Sequence, residues 1–112
     1  MRIALPLSDG RLCQHFGHCE TFALFDVSPE GREVLGRIST VPPPHAPGVL
    51  PEWLRGQGVD LVLAGGMGAR AKAIFCDAGI QVVSGVASAP ADEVVQTYLD
   101  GTLATGANTC DH

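Results

Sequence analysis

Long apolar runs, basic clusters and paired-cysteine spacings are all missing from this chain of 112 residues. No window approaches the roughly 20 apolar residues that a membrane span needs. The start, Met1-Arg2-Ile3-Ala4-Leu5-Pro6, lacks the apolar stretch of a signal peptide, so a cytoplasmic protein without a membrane partner is expected. Seven Lys plus Arg stand against twelve Asp plus Glu for a net charge of -5, and the basic residues are scattered from Arg2 to Lys72. With no basic face, nucleic acid is disfavoured as a partner. No C-x₂-C pair marks a structural zinc site, and no G-x-x-x-x-G-K-[ST] loop marks a nucleoside triphosphate site. Neither paired carboxylates nor a nucleophile with its base can be read from the chain, so no enzyme is expected.

What is present is one domain's worth of apolar residues, 46% against 17% charged, enough for a core without staples. The centre of the chain is Gly58 to Ala71, read as strand, glycine loop and helix start. Val59 and Leu61 to Ala64 form a short apolar run suited to a strand covered on both faces. Upstream, strands are expected at Arg2 to Pro6, with Pro6 ending the first, at Thr21 to Val27, and at Glu33 to Val41. The last alternates in a way that suits a sheet edge. Pro42 to Gly48 holds four prolines and must be a stiff loop.

Helices are expected over Val49 to Gln57, over Met67 to Ala78 with Ala71, Ile74, Phe75 and Ala78 as its apolar stripe, and from near Pro90 to Gly101. A buried strand, Ile80 to Val83, lies between the last two. The order βββαβαβα predicts an α/β fold with a mixed five-stranded sheet, an antiparallel meander followed by parallel returns. Residues 1–101 make the domain, and 102–112 a flexible tail.

Soft and borderline metal ligands gather in two places. Cys13-x-His15-x-x-His18-Cys19 puts four within seven residues, and Cys110-x-His112 repeats the short form in the tail. In a reducing cytoplasm Cys13, Cys19, Cys76 and Cys110 should be thiols or ligands rather than disulfides, with Cys76 a small hydrophobe beside its helix stripe. His45 on the proline loop is either a ligand or a surface residue, and Met67 either a thioether ligand or a gap-filler. Gly66-Met67-Gly68-Ala69-Arg70-Ala71 matches G-x-G-x-x-A, but about 20 residues on, where an acidic residue should meet a ribose, stand Gly85 and Val86. That leaves Gly65 to Gly68 as a plain tight turn or as an anion site at a helix N-terminus, with Arg70 beside it.

In order, His15-Phe16-Gly17, His45 before Gly48-Val49-Leu50-Pro51, Gly58-Val59-Asp60 leading to Ala64-Gly65-Gly66-Met67-Gly68, and Gly79-Ile80 resemble the dinitrogenase iron-molybdenum cofactor biosynthesis family. This is the group of NifX, NafY and the C-terminal domain of NifB. The likeness covers residues 1 to about 101. It implies a ribonuclease H-like three-layer fold. It also implies binding, carrying or scaffolding of an iron-sulfur or molybdenum-containing cluster, with His15, Phe16, Gly17, His45 and the Gly65–Gly68 loop as site candidates. Cluster-donor or recipient proteins would be the partners. The extra thiols resemble a stand-alone subgroup. Two rivals stay open: a small metal-dependent redox enzyme, and a regulatory protein-binding module.

Overall fold

The computed structural model describes residues 1–13, 20–28, 30, 33–43, 49–102 and 108–109. Its strands are β1 (Arg2–Ser8), β2 (Arg11–Leu12), β3 (Thr21–Val27), β4 (Val34–Thr40), β5 (Leu61–Leu63), β6 (Gln81–Ser84) and β7 (Asn108–Thr109). Its helices are α1 (Val49–Gly56), α2 (Ala69–Asp77) and α3 (Ala91–Asp100). The sheet runs β4-β3-β1-β5-β6-β7, with β2 paired to β1. β1, β5 and β6 are parallel to one another, while β2 and β3 are antiparallel to β1, and β4 to β3.

The mixed α/β sheet and the edge position of β4 agree with the sequence. Two two-residue strands were not expected, because so short a ladder has no period to detect. β2 arises from Asp9-Gly10, whose φ values of 54° and 78° join Leu7↔Leu12 and Ser8↔Arg11 in a two-residue hairpin. Pro6 does not end β1. β1 pairs with β5 at Ile3↔Leu61 and Ala4↔Val62, and β2 takes up pairing only at Leu7, so the proline falls where that side of β1 has no ladder.

Alternation sorts the side chains. Ile3, Leu5, Leu7, Ala23, Phe25, Leu61 and Leu63 pack with Ala91, Val94 and Val95 of α3 on one face. Ala4, Phe22, Leu24, Val62 and Val82 pack with Leu50, Leu54 and Phe75 of α1 and α2 on the other. Both faces of β1 and β5 are therefore buried, as their continuous apolar sequences require. Trp53 meets Phe22 edge to face at 5.6 Å. The expected stripe of α2 is narrower than predicted: Phe75 is buried, but Ile74 is 36% exposed. α3 stops at Gly101, whose φ of 78° suits glycine, with Thr102 N–H bonded to the Thr97 carbonyl.

Candidate functional site

The register lines up three loop departures at one end of the sheet. Thr40, Phe22 and Pro6 stand in one row across β4, β3 and β1, and β5 runs parallel to β1 toward the same end. From that end the chain leaves β4 toward the proline loop, β1 toward β2 and Cys13, and β5 toward Gly65.

The loop after Cys13 is anchored twice on β1. Cys13 N–H donates to the Pro6 carbonyl at 2.8 Å, and Glu20 N–H donates to the Leu7 carbonyl at 2.8 Å. Cys13 is buried beside Leu12. A second strap holds β2 to the segment before α3: Leu12 N–H donates to the Ala89 carbonyl, the Ser88 hydroxyl to the Leu12 carbonyl, and Arg11 to the Ser88 carbonyl. Gln14 to Cys19, His45, Cys110 and His112 lie outside the described residues. Of the expected metal ligands Cys13 alone is placed, and among the described residues no three His, Cys, Asp or Glu groups come together to hold a metal.

The glycine loop is held from one side and open on the other. The Gly65 carbonyl accepts from Gly85 N–H at 2.7 Å, and the Ala64 carbonyl from Val86 N–H at 3.1 Å, which fixes the loop to the turn after β6. Gly66 and Gly68 are exposed, whereas Met67 packs against the core face shared by α1 and α2. A partly buried gap-filling role accounts for that methionine without a metal. Gly68 caps α2 with φ -68° and ψ 156° and, having no side chain, makes no cap hydrogen bond to the first-turn N–H groups. No acidic residue stands in that turn. Arg70 is exposed and Lys72 half-buried, and neither has an ion pair among the described residues. Lys72 is absent from the sequence-based candidates. Its signal was its position, two residues beyond Arg70 in the first turn after the glycines.

Cys76 is half-buried on α2 and disulfide-bonded to a sulfur outside the described residues. This corrects its assignment as a reduced hydrophobe: placed beside the helix stripe rather than within it, the thiol is accessible to a second one.

The opposite end of the sheet is spent on structure. Arg2 donates to Asp26 through Nε at 2.7 Å and Nη2 at 3.2 Å, and through Nη1 to the Gln57 carbonyl. The Arg2 hydrogen bond holds the Asp26 carboxyl below its usual range, against partial desolvation. An open cleft of about 560 Å³ there is lined by Met1, Arg2, Asp26, Leu35 and Asp60 among others.

Comparison with known proteins agrees with the fold. The model of the family described as "Dinitrogenase iron-molybdenum cofactor" matches residues 1–101. The protein MJ0580 of Methanocaldococcus jannaschii is 26% identical over 106 residues, 92% of this chain and 89% of that one. The crystal structure of PH0822 superposes with a TM-score of 0.86 at 30% identity, over 95% of each chain. The apo form of the orange protein from Desulfovibrio gigas gives 0.73 at 23% identity, over 98% of this chain and 96% of that one. None of the helices in the described residues is long and apolar enough to cross a membrane.

Proposed function

We propose, from the premise that this chain belongs to the dinitrogenase iron-molybdenum cofactor family, that it binds and carries an anionic metal-sulfur cluster as cargo and does not turn it over. The observation that carries the reading is the N-terminus of α2. There an uncapped helix start follows exposed glycines, its first turn holds Arg70 and Lys72, and it has no carboxylate, on a chain of net charge -5. The helix N–H groups favour negative charge there, and the two cations add to the local positive field. Thiolate and imidazole complete the site in chemical kind. Cys13 is tied to the end of β1, and His15, His18, His45, His112 and whichever of Cys19 and Cys110 is not bonded to Cys76 are the further ligands we assign to the cargo. His15-Phe16-Gly17, Gly65, Gly66, Gly68 and Arg70 shape its pocket, with cluster-donor and recipient proteins as partners.

The family relation favours a carrier over a redox enzyme. Anaerobic purification followed by elemental analysis for iron, molybdenum, copper, zinc and sulfide tests this. Metal with stoichiometric sulfide is the expected result. Metal-free protein that takes up no cluster on anaerobic reconstitution would refute the carrier reading.

A further inference from the structure

We infer that the free edge of β4 is an interface at which two copies of this chain pair antiparallel, continuing one sheet through both. β4 ends the strand order, so among the described residues its outer edge has no ladder partner. It is seven residues long, and its surface is apolar: Val34, Leu35, Ile38 and the following Val41 are 40%, 65%, 50% and 73% exposed. Solitary edges are normally defended by lysine, proline or inward charge. Residues 34–41 contain neither lysine nor proline. The bulge opposite Asp26 and Val27 lies at the Val34 end and leaves Gly36 onward regular.

Charge selects a second copy as the occupant. The chain carries -5, yet residues 34–43 hold no carboxylate. Their one cation, Arg37, is held within its own chain by Asp92 at 2.9 Å and lies over the Phe25 ring. Two copies can therefore meet along this strand without setting carboxylate against carboxylate between the paired residues. A two-fold axis at Ile38 sets Ile38 against Ile38, Arg37 against Ser39, Gly36 against Thr40 and Leu35 against Val41. Shifting the axis to Arg37 would set guanidinium against guanidinium, which cross-strand pairing disfavours. The two-fold arrangement is self-complementary and closed, so it caps both edges and gives a dimer rather than a fibre. An interface of one strand from each copy is small, which sets its dissociation constant in the micromolar range.

Sedimentation equilibrium over roughly 1 to 500 μM, a span bracketing that affinity class, tests the inference. Wild type should pass from monomer to dimer, and amides 36–40 should exchange more slowly as concentration rises. Ile38→Lys changes a half-exposed side chain, so it should keep the wild-type circular dichroism while weakening association at least tenfold. Val41→Asp should do the same. A wild-type chain monomeric throughout, edge amides indifferent to concentration, or a dimer unaffected by both folded variants would each overturn it. The last result would place the contact on another face.

Discussion

Replacing Gly68 by serine should stabilise the empty protein and weaken its hold on cargo. The backbone at Gly68, φ -68° and ψ 156°, is open to any residue, and a Cβ built there meets nothing within 4 Å. Serine at this cap would accept from a first-turn N–H group, as glycine cannot, worth a few tenths of a kcal/mol over glycine. Removing glycine's freedom from the unfolded chain adds about 0.4–1 kcal/mol. The sum, about 1 kcal/mol, corresponds to a rise of roughly 4 °C in Tm for a domain of this size. Thermal unfolding of the metal-free protein reads the first effect, and metal content per folded chain after anaerobic reconstitution reads the second. A fall in Tm would mean that glycine is needed at the cap for the fold itself. A raised Tm with unchanged cluster content would show that the first-turn N–H groups do not face the cargo.

The remaining predictions test the site, the core and the ion pair. His15→Ala and Cys13→Ala should each lower cluster content per folded chain, whereas Cys76→Ala should leave it intact; equal loss in all three would mean a misplaced site. Chelation should leave circular dichroism and a cooperative thermal transition in place, because two apolar clusters hold the sheet without metal, unlike a zinc-dependent domain. Phe75→Ala removes a ring with 0% exposure that links α2 to the sheet and should cost about 3–5 kcal/mol by denaturant titration. The depressed Asp26 carboxyl stabilises the fold above the ordinary carboxylate range, and that contribution is lost as pH falls through its lowered folded value. With Arg2 and Asp26 side chains 30% and 46% exposed, water screens the pair to about 0.5 kcal/mol, so Asp26→Asn should show a slightly lower Tm at neutral pH and none of that deficit in acid.

How much of this could be read from residues alone depended on whether a signal was periodic. The apolar run of β5, the alternation of β4 and the start and stop signals of α3 each report local order that the packed sheet enforces, and these elements lie close to where they are expected. Short and tertiary features left weaker traces. The Asp9-Gly10 hairpin leaves a turn signal between Leu7 and Leu12, but the two-residue ladder beside it has no period to support it. Pro6 as a strand stop was a local rule, overridden by where β5 happens to end. β7 is two residues long and borrows its geometry from β6. Around the proposed site, sequence singles out the glycine loop and Arg70, but does not show that Met67 packs against the core or that Lys72 stands in the same first turn.

The two ends of the sheet treat their cations in opposite ways, and this contrast bears most directly on function. At the start of β1, Arg2 is bonded to Asp26 and to the Gln57 carbonyl, while its own N–H donates to Asp60, so the charge is spent holding strands together. At the far end, Arg70 and Lys72 stand in the first turn of α2, where the helix dipole is already positive and acidic residues would be the stabilising choice. Each misplaced cation costs the empty helix a few tenths of a kcal/mol, and carboxylates there would reverse the sign. α3 follows the stabilising rule, with Asp92 and Glu93 in its first turn, so the fold does not forbid it. The departure is confined to the helix that follows the glycine loop. On the proposed reading an anionic guest would offset that cost, because it would meet the same dipole and the same local excess of positive charge.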